Sequence, residues 1–159
     1  MACLDRLERL FALEEVPYRV TRHSPAYTAQ DVANVEHISG YDVAKVVLAV
    51  VDDRLVMLVL PAPYRVDPDL LRGGLQARTV RLAEEREFAD VFPDCETGAM
   101  PPFGSLYGVK VYVDPGLSAH PQITFNAGSH RETITIPLAD YIRLVRPTVL
   151  PLARSPKAA

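Results

Sequence analysis

The sequence predicts a single α+β domain with a mixed, strongly curved β-sheet flanked by helices. Segments with helical spacing of apolar residues interleave with β-branched segments, and several of the predicted strands pair as hairpins. The length of 159 residues suits one hydrophobic core. No glycine-rich phosphate loop follows a predicted strand, so a doubly wound parallel sheet is the less favoured architecture.

The N-terminal part is predicted to hold two helices and a central hairpin. Residues 3–15 place leucine and phenylalanine at helical spacing between charges, which predicts an amphipathic helix. Residues 18–22 alternate as a short strand. The capping sequence Thr28–Asp31 predicts a second helix over 29–37. Residues 44–60 contain two apolar, β-branched runs around a polar turn, which predicts a covered hairpin in the middle of the sheet.

The C-terminal part continues with short elements around one long loop. Val66–Asp69 begins a helix that is expected to end at Gly73–Gly74. Residues 93–106 hold three prolines and two glycines, which predicts a shaped loop. Prolines after residue 147 predict a domain over 1–147 and a flexible tail over 148–159. The other predicted elements are strands at 78–82, 109–113, 122–126 and 133–136 and helices at 83–92 and 137–145.

Composition and charge exclude several function classes. Apolar residues make up 48% of the chain and the net charge is −3. A protein that grips long stretches of nucleic acid would neutralise many phosphates, so no DNA partner is expected, although an RNA end could bind. The sequence contains no run of about 18 or more apolar residues, so no membrane span is expected. The charges at Asp5 and Glu8 argue against a signal peptide, which indicates a cytoplasmic protein. The histidine and cysteine spacings fit no zinc site, so neither metal nor cofactor is expected.

Lys45 is the first candidate functional residue. It lies in a strand with apolar residues on both faces. Burying an unpaired ammonium is costly, so this lysine is expected to face a pocket, an anion or a partner carboxylate. The alternative is a lysine at the first residue of the strand whose charged end reaches water.

Two loops are the other candidate features. The segment Gly98–Gly104 joins adjacent prolines to flanking glycines, which suits a pocket wall or, as the pattern alone favours, a rigid connector. The segment Phe125–Thr133 runs through a Gly-Ser turn whose amides could hold an oxyanion, although plain β-turns are commoner. Ser129 and His130 are adjacent, and neighbours on an extended chain point apart, so they are not expected to pair as nucleophile and base. Acidic neighbours raise the pKa of Cys95, which disfavours a thiolate nucleophile.

Taken together, these segments resemble the YbaK/aminoacyl-tRNA-synthetase-associated domain family, the editing-like domain of prolyl-tRNA synthetase. They occur in the family's order over roughly residues 3–147, which is far more specific than any single motif. The matching segments are His23–Thr28, Val43–Val47, Leu60–Ala62, Phe92–Gly104 and Phe125–His130.

The resemblance implies a sheet curled toward a barrel and a metal-independent hydrolase. The reaction would be cleavage, in trans, of the ester that joins a wrong small amino acid to the 3′ end of a tRNA. An aminoacyl-tRNA synthetase is a further candidate partner. Two alternatives stay open: a non-catalytic module that binds tRNA, a synthetase or an amino acid, and a hydrolase of free aminoacyl esters or amides. The amino acid, the tRNA and the oligomeric state are not predicted.

The resemblance also assigns roles to residues. Lys45 would contact the terminal nucleotide or the scissile group, Gly98 and Pro102 match a loop that shapes the pocket, and Gly128 and Ser129 match the glycine turn of the family. For the chemistry itself, we expect amides near Gly128 to hold the oxyanion. Water would be activated by the ribose hydroxyl of the substrate or by His130. The segment Ser129–Glu132 departs from the cysteine-removing branch, so the specificity of that branch is not carried over. The expected catalytic residues are Lys45, Gly128, Ser129 and His130, and the expected substrate-binding residues are Tyr27, Thr28, Gly98, Met100, Pro102, Phe103, Gly104 and Asn126.

Overall fold

The computed structural model describes residues 2–156. Its helices are α1 (Cys3–Leu13), α2 (Ala29–Glu36), α3 (Pro68–Leu75), α4 (Glu85–Phe88) and α5 (Leu138–Val145). Its strands are β1 (Arg19–Arg22), β2 (Ala44–Val51), β3 (Arg54–Pro61), β4 (Arg65–Val66), β5 (Val80–Leu82), β6 (Lys110–Val113), β7 (Gln122–Ser129), β8 (Glu132–Pro137), β9 (Thr148–Val149) and β10 (Ala153–Arg154). No helix among the described residues is both long and apolar enough to cross a bilayer.

The strands form three sheets. The largest has the order β5-β2-β3-β6-β9, in which the β2–β3 hairpin is antiparallel and β6 and β9 add in parallel. A three-stranded antiparallel sheet has the order β1-β8-β7, and β10 pairs with β4. The predicted α+β class with a mixed sheet is confirmed. The sheets are joined only by an isolated bridge between Val43 and Thr124 among the described residues, so no closed barrel forms.

The central hairpin is apolar on both faces because it separates two parts of the core. Met57 and Val59 point into the larger cluster, which lies between the five-stranded and three-stranded sheets. Leu58 and Leu60 alternate with them and point into a second cluster beneath α3 and the C-terminal segment. Each fully buried side chain of this size contributes about 1.5–3 kcal/mol of transfer free energy. The hairpin is therefore the structural centre of the domain.

The sequence signals for helix ends predict where α2 begins but not where α3 ends. Thr28 caps α2 as expected, because its hydroxyl accepts a hydrogen bond from the Asp31 amide over 3.0 Å. The predicted glycine stop of α3 is wrong, since Gly73 and Gly74 lie inside the helix. Gln76 ends α3 in the left-handed conformation with φ of 53°. A non-glycine residue does so rarely, and the sequence pattern gives no sign of it.

The C-terminal segment differs from the predicted flexible tail. β9 pairs with β6 and β10 pairs with β4, and Leu152 between them is fully buried. The buried Asp114 carboxylate accepts the amides of Leu152 and Ala153 over 3.0 and 3.1 Å. These pairings join residues far apart in the chain, so local proline content does not reveal them. Met1 and residues 157–159 lie outside the described part of the chain.

Candidate active site

Two loops meet where the resemblance expects a site. The Gly128 amide donates to the carbonyl oxygen of Ala99 over 3.0 Å, and the Glu96 amide donates to the carbonyl oxygen of Gly128 over 2.8 Å. The His130 amide lies 3.3 Å from the Glu96 carboxylate, to which it donates. The loop over residues 93–106, which we call the proline-stiffened loop, and the β7–β8 turn therefore form one hydrogen-bonded unit. More than twenty residues separate the hydrogen-bonded partners in the chain.

His130 is held within this unit by its ring. Its Nε2 atom lies 2.9 Å from the carbonyl oxygen of Thr97, which can only accept a hydrogen bond. Nε2 therefore carries the proton, and in the neutral ring Nδ1 has a free lone pair. Nδ1 is buried and has no hydrogen-bond partner among residues 2–156. The Tyr27 ring covers the imidazole at 4.8 Å between centroids, which leaves a buried, oriented base.

Gly98 lies directly against this imidazole. Its φ of +87° is in the region that favours glycine, and a Cβ built there would lie 3.5 Å from Cε1 of His130. Its amide donates only to the thioether sulfur of Met100 among the described residues, over 3.3 Å. Thioether sulfur is a weak acceptor. The Gly98 amide is therefore the donor near His130 that a substrate oxygen could most easily capture.

Two amides of the turn around Gly128 already have acceptors within the protein. Gly128 donates to Ala99, as described above, and the Arg131 amide donates to Oγ of Ser129 over 3.2 Å. Ser129 Oγ in turn donates to Glu132 over 3.2 Å, so its hydroxyl shapes the turn. Gly128 itself is required by packing, since a Cβ there would lie 2.5 Å from Cβ of Cys3.

Most of the expected pocket-wall residues belong to the proline-stiffened loop itself, and they are buried against the core. Met100 and Phe103 belong to the larger core cluster, and Phe103 meets the Phe11, Phe125 and Tyr141 rings at 5.4–5.7 Å. Pro102 contributes its carbonyl oxygen, which accepts the buried Tyr141 hydroxyl over 2.7 Å. At Gly104 a Cβ would lie 2.7 Å from the carbonyl oxygen of Val109. These contacts hold the loop in place against the core.

The three other expected substrate-binding residues lie in different environments. Asn126 leaves its side-chain oxygen buried without a hydrogen-bond partner among the described residues. It lies opposite Thr133 on the face of β7 that points away from the larger cluster. Tyr27 is 69% exposed and thus reaches the surface above His130. Thr28, in contrast, uses its hydroxyl to cap α2.

Lys45 lies apart from the two joined loops. It is half-buried near the start of β2, opposite Leu60 of β3. Val43, two residues earlier on the same side of the chain, packs with Ala26. The Ala26 amide donates to the carbonyl oxygen of His130 over 2.9 Å, so a packed segment links the lysine to the loops. The Lys45 side chain forms no hydrogen bond or ion pair with any residue in the described range.

Sequence reasoning missed Thr97 and Glu96, the groups that orient His130. Their position immediately before Gly98 in the matching segment was the one available signal. It also missed the interaction with Cys3, which together with burial raises the pKa of Cys95. The Tyr107 hydroxyl contacts both thiols, at 3.7 and 3.5 Å. Within residues 2–156, no group of three or more histidine, cysteine or acidic residues could hold a metal ion.

The fold is that of a small mixed-sheet α+β domain of the predicted kind. A family model described as the aminoacyl-tRNA editing domain matches residues 23–144. The chain therefore belongs to the aminoacyl-tRNA editing domain family, and the predicted deacylase function is confirmed at this level.

Individual relatives agree with this assignment. The chain is 28% identical over 159 residues to the multifunctional Ser/Thr-tRNA deacylase ProXp-y of Escherichia coli strain K12, and the match covers 95% of this chain and 93% of the relative. The figures are the same for the protein from Escherichia coli O157:H7.

Solved structures share the fold. The crystal structure of a hypothetical protein has a TM-score of 0.83 at 15% identity and covers 93% of this chain and 99% of its own. A structure described as a candidate trans-editing enzyme for prolyl tRNA synthetase has a TM-score of 0.80 at 16% identity, with coverage of 98% and 99%. At such low identity these likenesses concern the fold.

Proposed function

We propose that this deacylase acts in trans on tRNA wrongly charged with serine or threonine, using His130 as the base and the Gly98 amide as the oxyanion donor. The observation that carries the proposal is the contact between an imidazole with an unpaired, buried Nδ1 atom and a glycine whose amide is weakly bonded. The printed specificity of the Escherichia coli relative supports the choice of amino acid.

The reaction needs only these two groups and a water molecule. Nδ1 of His130 accepts a proton as water attacks the ester carbonyl carbon. Negative charge then develops on the carbonyl oxygen, where the Gly98 amide can donate in place of its bond to Met100. The tetrahedral intermediate collapses, the bond to the ribose oxygen breaks, and that oxygen takes up the proton. The products are a free amino acid and a tRNA with an intact 3′ end.

Asn126 is the residue that we propose for recognition of a hydroxylated amino acid. Its side-chain oxygen is a buried acceptor without a partner among the described residues, and a substrate hydroxyl would satisfy it. A site built to hydrogen-bond a hydroxyl rejects analogues that lack one far better than an apolar pocket rejects a missing methylene. We therefore assign Asn126 to the recognition of serine and threonine. A synthetase partner stays a prediction.

A panel of tRNAs charged with alanine, serine, cysteine or threonine tests the proposal. The parent protein should release serine and threonine fastest. Lys45→Ala should slow every cleavage, whereas Lys110→Ala should have no effect, because Lys110 is an exposed lysine that lies 5.3 Å from the Tyr112 ring centroid. Binding of charged tRNA without any release would instead favour the non-catalytic module. Release from free esters at the same rate as from tRNA would favour a general esterase.

A further inference from the structure

The two cysteines of the chain meet in the tertiary structure and form what we call the thiol pair. Cys3 is the first residue of helix α1, and Cys95 lies on the proline-stiffened loop. Both are free thiols. The hydroxyl oxygen of Tyr107 lies 3.7 Å from Sγ of Cys3 and 3.5 Å from Sγ of Cys95. Because both sulfur atoms contact the same oxygen atom, a bond between them needs a local shift of two short segments and no refolding.

The Tyr107 hydroxyl that contacts both sulfur atoms is itself held in place. It donates to one oxygen of the Asp94 carboxylate over 2.9 Å, and the other oxygen accepts from Arg6 over 3.0 Å. The Arg6 guanidinium also lies 4.7 Å from the centre of the Tyr107 ring. Helix α1, the proline-stiffened loop and Tyr107 are therefore joined by polar contacts that keep the thiol pair together.

The two thiols differ in acidity. The interaction with Cys95 lowers the pKa of Cys3 more than burial raises it. The same interaction, together with burial, raises the pKa of Cys95. Since the thiolate is the form that attacks an oxidant, Cys3 is the sulfur expected to react first, and Cys95 keeps its proton.

A cavity leads to the thiol pair. It is open, has a volume of about 400 Å³, and is lined by both cysteines. Cys3 is 2% exposed, so the cavity is the route by which a small molecule reaches its sulfur. A water molecule occupies about 30 Å³ in the liquid, so a molecule with two oxygen atoms fits easily. The same cavity borders Gly128 and Ser129, which places the thiol pair against the candidate active site.

We propose that hydrogen peroxide joins Cys3 and Cys95 in a reversible disulfide, and that this bond switches off the adjacent site. The Cys3 thiolate attacks one peroxide oxygen, the O–O bond breaks, and hydroxide leaves and is protonated to water. The Cys95 sulfur then attacks the resulting sulfenic acid, the S–O bond breaks, and the oxygen leaves as water with the Cys95 proton. The two thiols thus lose two electrons, and the peroxide becomes two water molecules. A dithiol reverses the step by exchange.

The bond acts on the site because both cysteines adjoin the groups that form it. Cys95 lies two residues before Thr97, whose carbonyl oxygen accepts the Nε2 proton of His130 over 2.9 Å. Cys3 packs against Gly128, where an added Cβ would lie 2.5 Å from Cβ of Cys3. Bond formation draws the sulfur atoms closer than any non-bonded contact and so moves the loop relative to the turn. A misplacement of about 1 Å can slow catalysis by about 10²-fold. The effect on activity rests on the proposed function, whereas the bond itself does not.

Mass spectrometry tests the bond without an activity assay. The fully reduced protein is treated with hydrogen peroxide, and the excess is then removed. Its intact mass should fall by the mass of two hydrogen atoms. Peptide mapping without reductant should find the peptides of Cys3 and Cys95 joined, and dithiothreitol should separate them. A disulfide between two molecules, oxygen added to either cysteine without a crosslink, or unchanged thiols would overturn the proposal.

Serine variants test the order of the two steps. Cys95→Ser removes the second thiol, so Cys3 should stop at the sulfenic acid, which dimedone traps. Cys3→Ser removes the reactive thiol, so Cys95 should stay unlabelled under the same treatment. Circular dichroism verifies that both variants fold. Labelling of Cys95 in Cys3→Ser, with none of Cys3 in Cys95→Ser, would contradict the assignment of Cys3 as the reactive thiol.

Release of serine from charged tRNA tests the switch. Peroxide should slow the parent by at least about tenfold, and dithiothreitol should restore its rate. Cys3→Ser is the matched control and should keep its rate under peroxide. A crosslinked parent that stays fully active, or an equal loss in Cys3→Ser, would refute the switch.

Hydrogen exchange decides the case in which the parent cleaves no charged tRNA. The Glu96 amide, which donates to the carbonyl oxygen of Gly128, and the Gly128 amide, which donates to that of Ala99, join the loop to the turn. Both should exchange faster in the crosslinked protein than in the reduced one. Unchanged exchange would refute the switch, whether or not the deacylase proposal holds.

Discussion

The Nε2 atom of His130 donates a hydrogen bond to the carbonyl oxygen of Thr97 over 2.9 Å. This contact fixes the tautomer and leaves Nδ1 as the free lone pair. Because His130 lies on a turn that is hydrogen-bonded to the opposite loop, the orientation of its ring depends on the tertiary structure.

Replacing His130 tests this orientation. His130→Ala should lower kcat for deacylation by about 10²–10⁴, the usual contribution of a positioned base. His130→Asn retains a polar side chain but no base and should be equally slow. Single-turnover release of serine from charged tRNA measures both, and circular dichroism verifies folding. Full activity in either variant would transfer the role of base to the ribose hydroxyl of the substrate.

Gly98→Ala should disturb the site mainly through backbone strain. The new Cβ would meet the His130 ring at 3.5 Å with φ at +87°, a conformation that costs alanine about 1 kcal/mol. We expect a loss of deacylation of at least about tenfold. Gly73→Ala is the matched control, since nothing lies within 4 Å of its added Cβ inside helix α3. That variant should be fully active and about 0.5–1 kcal/mol more stable in urea unfolding.

Gly128→Ala should destabilise the domain by about 2–4 kcal/mol, because strain at φ of +96° adds to overpacking against Cys3. Cys3→Gly removes the Cβ that would clash, so the double variant should be more stable than the sum of the two single costs predicts, by about 1 kcal/mol or more. Chemical unfolding of all four proteins completes the cycle. Strictly additive changes in the free energy of unfolding would contradict a clash between the new Cβ and Cys3, since they would mean that helix α1 moves aside without loss of stability.

Tyr141→Phe should cost about 1–3 kcal/mol of unfolding free energy. The lost hydroxyl leaves the buried Pro102 carbonyl oxygen without its 2.7 Å donor. Burial raises the pKa of Tyr141, so the hydroxyl stays protonated and the bond persists from acidic to moderately alkaline pH. The parent–variant difference should therefore be independent of pH in that range. A difference that disappears on going from pH 6 to pH 9 would contradict this assignment.

Lys45→Met should stabilise the protein while it impairs activity. Burial, aided by Arg65, holds the pKa of Lys45 below its ordinary value, so the unfolded chain binds this proton more tightly than the folded one. The free energy of unfolding then rises with pH between the folded and unfolded pKa values of this group. The variant should gain about 0.5–1 kcal/mol at neutral pH, a modest amount because the side chain is half-exposed. The gain should shrink at alkaline pH, and a destabilised variant would contradict the assignment.

The sequence by itself determined the α+β class, the central hairpin, the capped start of α2 and the family. These features are encoded locally, in the alternation of apolar residues, in Thr28 as a cap and in short motifs whose order survives divergence. It also indicated Lys45, because an unpaired cation among apolar neighbours stands out in any strand.

Only the tertiary structure decided which groups meet. The Gly128 amide donates to Ala99, whereas the Gly98 amide donates to the Met100 sulfur, and no spacing rule contains this difference. The same holds for Leu152 in the core, since its burial depends on residues distant in the chain. Local patterns specify elements, whereas hydrogen-bond partners and burial are settled only when those elements pack.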